Sequence, residues 1–276
     1  MQILPKAVAT LRDGSLSEHL EAVQARIRVA PADADLRAQL FQLAAVQGDW
    51  PRAAEQLTLC AQFNPQAGPM ATLYAQAIAG ERQRETVLAG DDEPAFFAGR
   101  SAWCEALLQA LRLQAAQPSQ AADLRAQALQ EAGTRAGILA GEAAGLPARY
   151  GWIADGDSRL GPVCEWIAGG RYGWLPFEDI LRISLLAPDG LCDVLWARAE
   201  VMLADGRVLH GLVPARYPAP LGETLAGQGE ALRLGRETRW RPLGDDAYAG
   251  AGQKMWITDA GEYALLDVRG LDQEAG

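Results

Sequence analysis

The sequence predicts a multidomain protein with α and β parts. We expect a tetratricopeptide-like (TPR-like) helical array over residues 1–145, followed by a smaller α+β domain with mainly antiparallel strands over residues 146–276. Three observations predict this fold class. Apolar residues recur at helical spacing through the first part, and a 34-residue repeat lies within it. The second part contains short alternating segments separated by turn residues, which is typical of antiparallel strands.

The first part contains two copies of a unit with a period of 34 residues. In each copy a glycine opens the second helix of a pair, an apolar residue follows it, and a proline comes after the helix end. Glycine suits the turn between helices, and proline cannot continue a helix interior. The matching pairs are Gly14 and Gly48, Leu16 and Trp50, and Pro31 and Pro65.

The remaining helices of the first part follow from apolar stripes at helical spacing. Residues 69–88, 101–117 and 119–132 each carry such a stripe, while residues 133–147 are rich in glycine and alanine and are predicted to form a linker. Grooves of helical arrays bind peptides or helices. Trp50 and Phe63, near the predicted groove, are therefore candidate interaction residues.

In the second part, one helix and six strands are predicted. Asp157 and Ser158 form a candidate helix cap before an apolar run that ends at Gly169. The strongest hairpin signal is Asp205-Gly206, between two alternating segments. The candidate strands cover residues 181–186, 194–203, 207–213, 237–241, 254–258 and 263–268.

The composition is that of a globular chain with excess negative charge. Hydrophobic residues make up 49% and charged residues 22% of the 276 positions, so each part can bury a core. Acidic side chains outnumber basic ones by 35 to 25. Because a phosphate backbone or an anionic lipid surface would repel such a chain, we predict neither nucleic acid nor membrane as a partner.

The amino terminus and the cysteines bear on location and cofactors. Met1–Lys6 lacks the long apolar core of a signal peptide, and no uncharged run suits a spanning helix, so we expect a cytoplasmic protein. The four cysteines are far apart and only two histidines are present, which does not make a zinc set. We expect buried free thiols and no cofactor.

Asp155 and Asp157 bracket one glycine and are the sharpest candidates for chemistry. Two carboxylates at this spacing can hold a divalent ion, as in a metal-dependent transferase or hydrolase. No glycine-rich phosphate loop or doubly wound sheet accompanies them, and a helix cap already explains Asp157. We therefore assign no catalytic, cofactor or metal residue, and keep the metal-dependent enzyme as an alternative.

This region could also have a role other than chemistry, either as a surface that binds a partner or as a structural contact. Asp155, Asp157, Ser158, Arg159, Arg171 and Trp174 could form an interaction surface. The same residues could instead join the two domains, with Arg159 or Arg171 neutralising the aspartates. We favour the structural interpretation, which predicts that loss of Asp155 lowers stability more than partner affinity.

Several motifs distributed over the whole chain resemble the ImpE family, also called TagJ, of accessory proteins in bacterial type VI secretion. The block around Asp155 and the aromatic block that follows it are the most specific. The matching segments are Leu11-Arg-Asp-Gly-Ser-Leu16, Leu40-Phe-Gln-Leu43, Gly48-Asp-Trp50, Trp152-Ile-Ala-Asp-Gly-Asp-Ser-Arg-Leu-Gly-Pro162, Gly170-Arg-Tyr-Gly-Trp-Leu-Pro-Phe177, Pro214-Ala-Arg-Tyr-Pro218 and Thr258-Asp-Ala-Gly-Glu-Tyr263.

The resemblance implies a non-enzymatic cytoplasmic adaptor. Such a protein would bind the small subunit of the contractile sheath (TssB-like) and link it to the ClpV-like AAA+ unfoldase that recycles the sheath. The family brings no catalytic residues to assign. Besides the metal-dependent enzyme, a general TPR peptide-binding protein unrelated to secretion stays open as an alternative.

Overall fold

The structure is a computed structural model that describes residues 14–219, 223–244 and 247–274. The prediction that concerns a signal peptide depends on Met1–Lys6, which lie outside these residues. In the part of the chain that is described, no helix combines the length and apolar character needed to cross a bilayer.

Six helices form most of the first part: α1 (Leu16–Val29), α2 (Ala34–Gln47), α3 (Trp50–Phe63), α4 (Gly68–Leu88), α5 (Ala102–Leu113) and α6 (Pro118–Glu131). Local signals set the ends of the first three. Ser15 and Glu18 make a capping box at the start of α1, and Asp33 caps α2. Gly48 ends α2 with φ of 75°, a left-handed conformation that glycine adopts without strain. α1 and α3 therefore occupy equivalent positions in the 34-residue repeat.

Strands dominate the second part, although the first two strands lie before residue 146, and all are numbered in chain order together with one short helix. They are β1 (Ala95–Phe96), β2 (Gly137–Gly141), β3 (Ala148–Tyr150), β4 (Ile153–Asp155), β5 (Val163–Ala168), β6 (Arg171–Pro176), β7 (Ile180–Leu185), β8 (Trp196–Leu203), β9 (Val208–Pro214), β10 (Arg216–Tyr217), α7 (Glu230–Arg233), β11 (Thr238–Gly244), β12 (Ala247–Gln253), β13 (Met255–Thr258), β14 (Gly261–Ala264) and β15 (Val268–Gln273).

The strands form three sheets. Nine strands pair in the order β1-β6-β5-β9-β8-β7-β15-β2-β3, and two three-strand sheets pair as β10-β12-β11 and β14-β13-β4. All pairings are antiparallel except that of β1 with β6. The predicted fold class is confirmed, as is the hairpin at Asp205-Gly206, which joins β8 to β9.

Two predictions of local structure were wrong. The chain makes a tight turn after Asp157 and then forms β5, where a helix was expected, because the carboxylate of Asp157 accepts the N–H of Arg159 in that turn. β5 is buried on both faces, so its apolar run has no period-2 signature. The predicted linker at residues 133–147 contains β2, which pairs with β15 and β3. Only glycine fits at position 141, because a Cβ there would lie 2.1 Å from the carbonyl oxygen of Asp267.

The two parts share one core where α4 packs on β5 and β6. Gly80 allows the close approach, since a Cβ on this residue would lie 2.5 Å from Ile167. Buried residues of α2, α3 and α4 belong to the same apolar cluster as Trp174 and Trp196 of the sheet. Division of the chain at residue 145 stays a prediction. The four cysteines are free and buried, as expected.

Candidate functional site

Charged side chains are buried where α4 meets the sheet. Each is less than 9% exposed, and they comprise four carboxylates and four cations. We call this set the seam network: Glu81, Arg84, Asp155, Asp157, Arg159, Glu165, Arg216 and Lys254. A buried charge is tolerated when it is paired and hydrogen-bonded, so the contacts of each member decide whether the set is structural or reactive.

Glu165, on β5, is the centre of the seam network. Its Oε1 accepts hydrogen bonds from Arg84 Nε and the Tyr172 hydroxyl, both at 2.7 Å. Its Oε2 accepts from Arg84 Nη2 at 2.7 Å and lies 2.6 Å from Lys254 Nζ. Burial alone would raise the pKa of Glu165, but Arg84 and Lys254 hold it well below its ordinary value. The group is therefore a permanent carboxylate with no free acceptor position.

Lys254 joins Glu165 to Asp155. Its Nζ lies 2.5 Å from Asp155 Oδ2 and 4.5 Å from the centre of the Tyr217 ring. Burial lowers the pKa of Lys254, but the two carboxylates outweigh it and raise the pKa above its ordinary value. Burial also raises the pKa of Asp155 to about 6, against the opposing effect of Lys254. Asp155 Oδ1 accepts from the Tyr217 hydroxyl at 2.8 Å.

The turn after β4 holds Asp157, Ser158 and Arg159 against β12. Asp157 accepts from Arg159 Nε at 2.9 Å and Nη2 at 2.6 Å, and from the N–H of Gly250 at 2.9 Å. Ser158 N–H donates to the carbonyl of Tyr248 at 2.8 Å, and Ser158 Oγ accepts the N–H of Tyr248 at 3.0 Å. Burial opposes the charge of Arg159, yet Asp157 raises its pKa. These bonds hold the turn between β4 and β5 against β12.

The helical side reaches the seam network through α2 and α4. Arg84 Nη1 bonds Glu81 at 3.2 Å and the carbonyl oxygen of Arg216 at 2.9 Å. Glu81 also accepts from Trp196 Nε1 at 3.0 Å, and Arg216 Nη1 donates to the carbonyl of Val46 at 2.8 Å. Residues of both parts thus bond one another directly.

The structure brings four of the predicted site residues together and separates the others. Asp155, Asp157, Ser158 and Arg159 adjoin one another, with Arg159 as the arginine that neutralises Asp157. Trp174 is fully buried and donates to the Tyr172 hydroxyl at 3.0 Å, one bond away from Glu165. Arg171 is exposed at the start of β6, and in the described ranges no ion pair joins it to either aspartate.

Trp50 and Phe63 lie at opposite ends of α3. Trp50 is buried at the seam, where its Nε1 donates to Glu85 at 2.9 Å and its ring centre lies 6.1 Å from that of Trp196. Trp50 and Arg159 also line a cleft of about 320 Å³. Phe63 is 43% exposed. Of these two residues, only Phe63 is available to a partner without rearrangement of the core.

Five members of the seam network were not predicted from the sequence: Glu81, Arg84, Glu165, Arg216 and Lys254. A signal was present for two of them: Glu165 interrupts the apolar run of β5, and Arg84 shares a helical face with Ala77 and Glu81, both buried. A charged residue inside an apolar pattern predicts a buried partner of opposite charge. Nothing local identifies that partner.

The arrangement is suited to holding structure together. The carboxylate oxygens of Asp155 and Asp157 are occupied by Lys254, Tyr217, Arg159 and backbone N–H groups, so a cation would have to displace them. In the described part of the chain, no group of three or more His, Cys, Asp or Glu side chains is placed to hold a metal ion.

Comparisons with known proteins cover almost the whole chain. Residues 147–272 match the family model described as "ImpE protein". A Pseudomonas aeruginosa protein described as "Type VI secretion system accessory component TagJ" is 42% identical over 265 residues, which is 96% of this chain and 89% of the relative. A crystal structure of a Vibrio parahaemolyticus protein matches with a TM-score of 0.83 over 96% of both chains at 23% identity, and this likeness concerns the fold.

Proposed function

The chain belongs to the ImpE family, and from that membership we propose that it is a non-enzymatic cytoplasmic accessory component of a type VI secretion system. It binds the TssB-like small subunit of the contractile sheath and links it to the ClpV-like AAA+ unfoldase. Full-length identity of 42% to a protein described as an accessory component of this system is the observation that carries the proposal.

The geometry of the seam network supports a binding role over catalysis. A general base or a nucleophile needs a free atom at a cleft, whereas the buried carboxylates are engaged by cations and N–H or O–H donors. These buried carboxylates and cations therefore act in ion pairs that fix the two parts against each other.

The fixed relation between the two parts suits a linking protein. Arg84 of α4 bonds both Glu165 and Arg216 of the second part, and both contacts are buried. A linker with a rigid joint keeps its two partner surfaces at a constant distance and orientation. Such an adaptor loses less conformational entropy when the second partner binds.

The test uses three purified proteins of one secretion system: this chain, the small sheath subunit and the AAA+ unfoldase. Biolayer interferometry measures binding of each partner alone and of the unfoldase to a preformed complex of chain and sheath subunit. The proposal expects saturable binding of the sheath subunit and retention of the unfoldase on that complex. A folded chain that binds neither partner would contradict it.

Calorimetric titration with Mg²⁺ and Mn²⁺ addresses the metal-dependent enzyme. We expect no binding heat above dilution, since Lys254 and Tyr217 engage Asp155 while Arg159 engages Asp157. Saturable heat that Asp155→Asn abolishes would favour the enzyme instead.

A further inference from the structure

We infer that the cleft between the helical part and the second part binds a small zwitterion, an α-amino acid with an apolar side chain. The cleft has a volume of about 320 Å³. Ligand sites commonly lie where two domains meet, and a volume of this order suits a small molecule. Such a ligand is separate from the protein partners of the proposed function, so its binding is measurable on the chain alone.

Both parts of the chain contribute apolar walls to the cleft. The helical part supplies Trp50, at the start of α3, and Leu88, at the end of α4. The second part supplies Pro218 and Leu225. All four residues are buried, so the surrounding core holds the walls in place. The apolar side chain of a ligand would pack between them.

Glu85, in the last turn of α4, brings an unpaired carboxylate to the cleft. Its Oε1 accepts the indole N–H of Trp50 at 2.9 Å, whereas Oε2 has no bond and Glu85 no ion pair within the described ranges. Although the side chain reaches solvent, partial burial raises the pKa of Glu85. Glu223, the other carboxylate that lines the cleft, is paired with Arg241. An ammonium group of a ligand would therefore find its acceptor at Glu85.

Arg159, from the second part, brings positive charge to the same cleft. This residue is 7% exposed and lines the cleft. Its Nε and Nη2 donate to Asp157, whereas Nη1 has no hydrogen-bond partner among the residues that the structure describes. A guanidinium N–H that lacks an acceptor suits the carboxylate of a ligand.

Arg216 adds a second positive charge behind the wall of the cleft. It is the one cation of the seam network without an ion pair in the described part of the chain, and its Nη1 donates to the carbonyl of Val46. Burial lowers the pKa of Arg216 to about 10. The side chain lines an inner pocket of about 10 Å³, which has room for one water molecule. This pocket shares Trp50, Pro218 and Leu225 with the cleft, so the charge of Arg216 lies close to a bound ligand.

The charges at the cleft select the class of ligand. A plain anion would meet the unpaired carboxylate of Glu85, and a plain cation would meet Arg159 and Arg216. A zwitterion complements both, with its ammonium group at Glu85 and its carboxylate at Arg159. An α-amino acid with an apolar side chain combines these two charges with a body that fits the walls.

Titration calorimetry with L-leucine tests the inference. We expect saturable binding with a dissociation constant of about 1 mM or tighter, and a melting temperature that rises with leucine concentration. N-acetyl-L-leucine lacks the ammonium group and L-leucinamide lacks the carboxylate. Each analogue should bind at least about tenfold more weakly, because one charged group of the cleft then stays without its partner.

Two variants place the ligand in the cleft. Glu85→Gln keeps an acceptor for the Trp50 indole and removes the charge, so it should weaken leucine binding by at least about tenfold. Ala89→Phe fills the cleft without removing a charge and should abolish binding. The matched control is Glu21→Gln, at an exposed position of α1 outside the cleft, which should leave affinity within about twofold. Melting temperature without ligand checks that all three variants fold.

Three results would overturn the inference. The first is no saturable heat and no change of melting temperature with L-leucine, which leaves the proposed function untouched because that function is tested with protein partners. The second is binding that folded Glu85→Gln or Ala89→Phe retains, since the ligand would then lie elsewhere. The third is equal affinity for leucine and either analogue, which would exclude a zwitterion as the class of ligand.

Discussion

The two faces of β5 are buried in different ways. Toward α4, this strand presents Glu165 between Val163 and Ile167, and the contact is held by ion pairs. Toward the other side it presents Cys164 and Trp166, which belong to an apolar cluster below the sheet. An apolar contact tolerates small shifts, whereas a bidentate ion pair has one geometry. The difference teaches that ion pairs add a fixed geometry to the apolar packing on the α4 side of β5, whereas the opposite face is held by apolar packing alone.

Removing the charge of Glu165 is the most direct test of the difference between the two faces of β5. Glu165→Gln leaves Arg84 and Lys254 with fewer partners in a buried site, so we expect a loss of about 3–5 kcal/mol in the free energy of unfolding. Ile167→Val, on the same face of the same strand, is the control and should cost about 0.5–1.5 kcal/mol. Urea denaturation measures both. Equal losses would mean that charge does not distinguish this contact.

Loss of Asp155 should affect stability more than binding. Asp155→Ala removes one partner of Lys254, which keeps Glu165, so we expect a cost of about 2–3 kcal/mol. For a chain of this size that corresponds to a fall of about 5–10 °C in melting temperature. Affinity for the small sheath subunit should stay within about twofold. Unchanged melting with lost binding would assign Asp155 to the partner surface.

Arg84→Lys keeps the charge and removes the planar fork. A lysine cannot bond both oxygens of Glu165 together with Glu81 and the Arg216 carbonyl, so we expect a cost of about 1–3 kcal/mol. Arg82→Lys, at an exposed position of α4, should cost less than about 0.5 kcal/mol. If the two variants melt at the same temperature, the geometry of the ion pair is not what holds the seam.

The pH dependence of the free energy of unfolding separates the contributions of Glu165 and Asp155. The folded pKa of Glu165 is below its ordinary value of 4.5, so the stability that it contributes is fully present above pH 4.5 and is lost as the pH falls below that value. Asp155 has the opposite sign: its folded pKa of about 6 lies above the ordinary 3.8, so its ionisation lowers stability as the pH rises through this window.

Urea denaturation between pH 7 and pH 3.5 measures these contributions. Below pH 4.5, the stability of Glu165→Gln should fall less steeply than that of wild type, by up to about 1.4 kcal/mol per pH unit. Parallel curves for the two proteins would contradict the assignment of Glu165 as a permanent carboxylate.

Local signals in the sequence predict the helical repeat well. Gly48 ends α2 and Asp49 caps α3, and each acts within one turn of its own position. The β8–β9 hairpin is local in the same way, since Asp205 bonds the N–H of Arg207 two residues later. The pairing of Asp157 with Arg159 is also local, and Arg159 is one of the two arginines that the sequence offers to neutralise the aspartates.

The seam network could not be predicted in the same way. Arg84 and Glu165 are 81 residues apart, and Lys254 and Asp155 are 99 residues apart, so neither spacing carries a signal. β2 was missed for a related reason, because its glycines fit only the close backbone of β15. Such features depend on the assembled structure, which a single sequence does not display.

The order of the chain gives the Arg84–Glu165 pair a consequence for biosynthesis. Helices leave the ribosome first, so Arg84 emerges 81 residues before its main partner. During that interval Arg84 lacks the carboxylate that pairs with it in the finished structure. The sheet-facing side of α4 is therefore covered only after β5 has been made, and Lys254, the second cation that contacts Glu165, is synthesised later still.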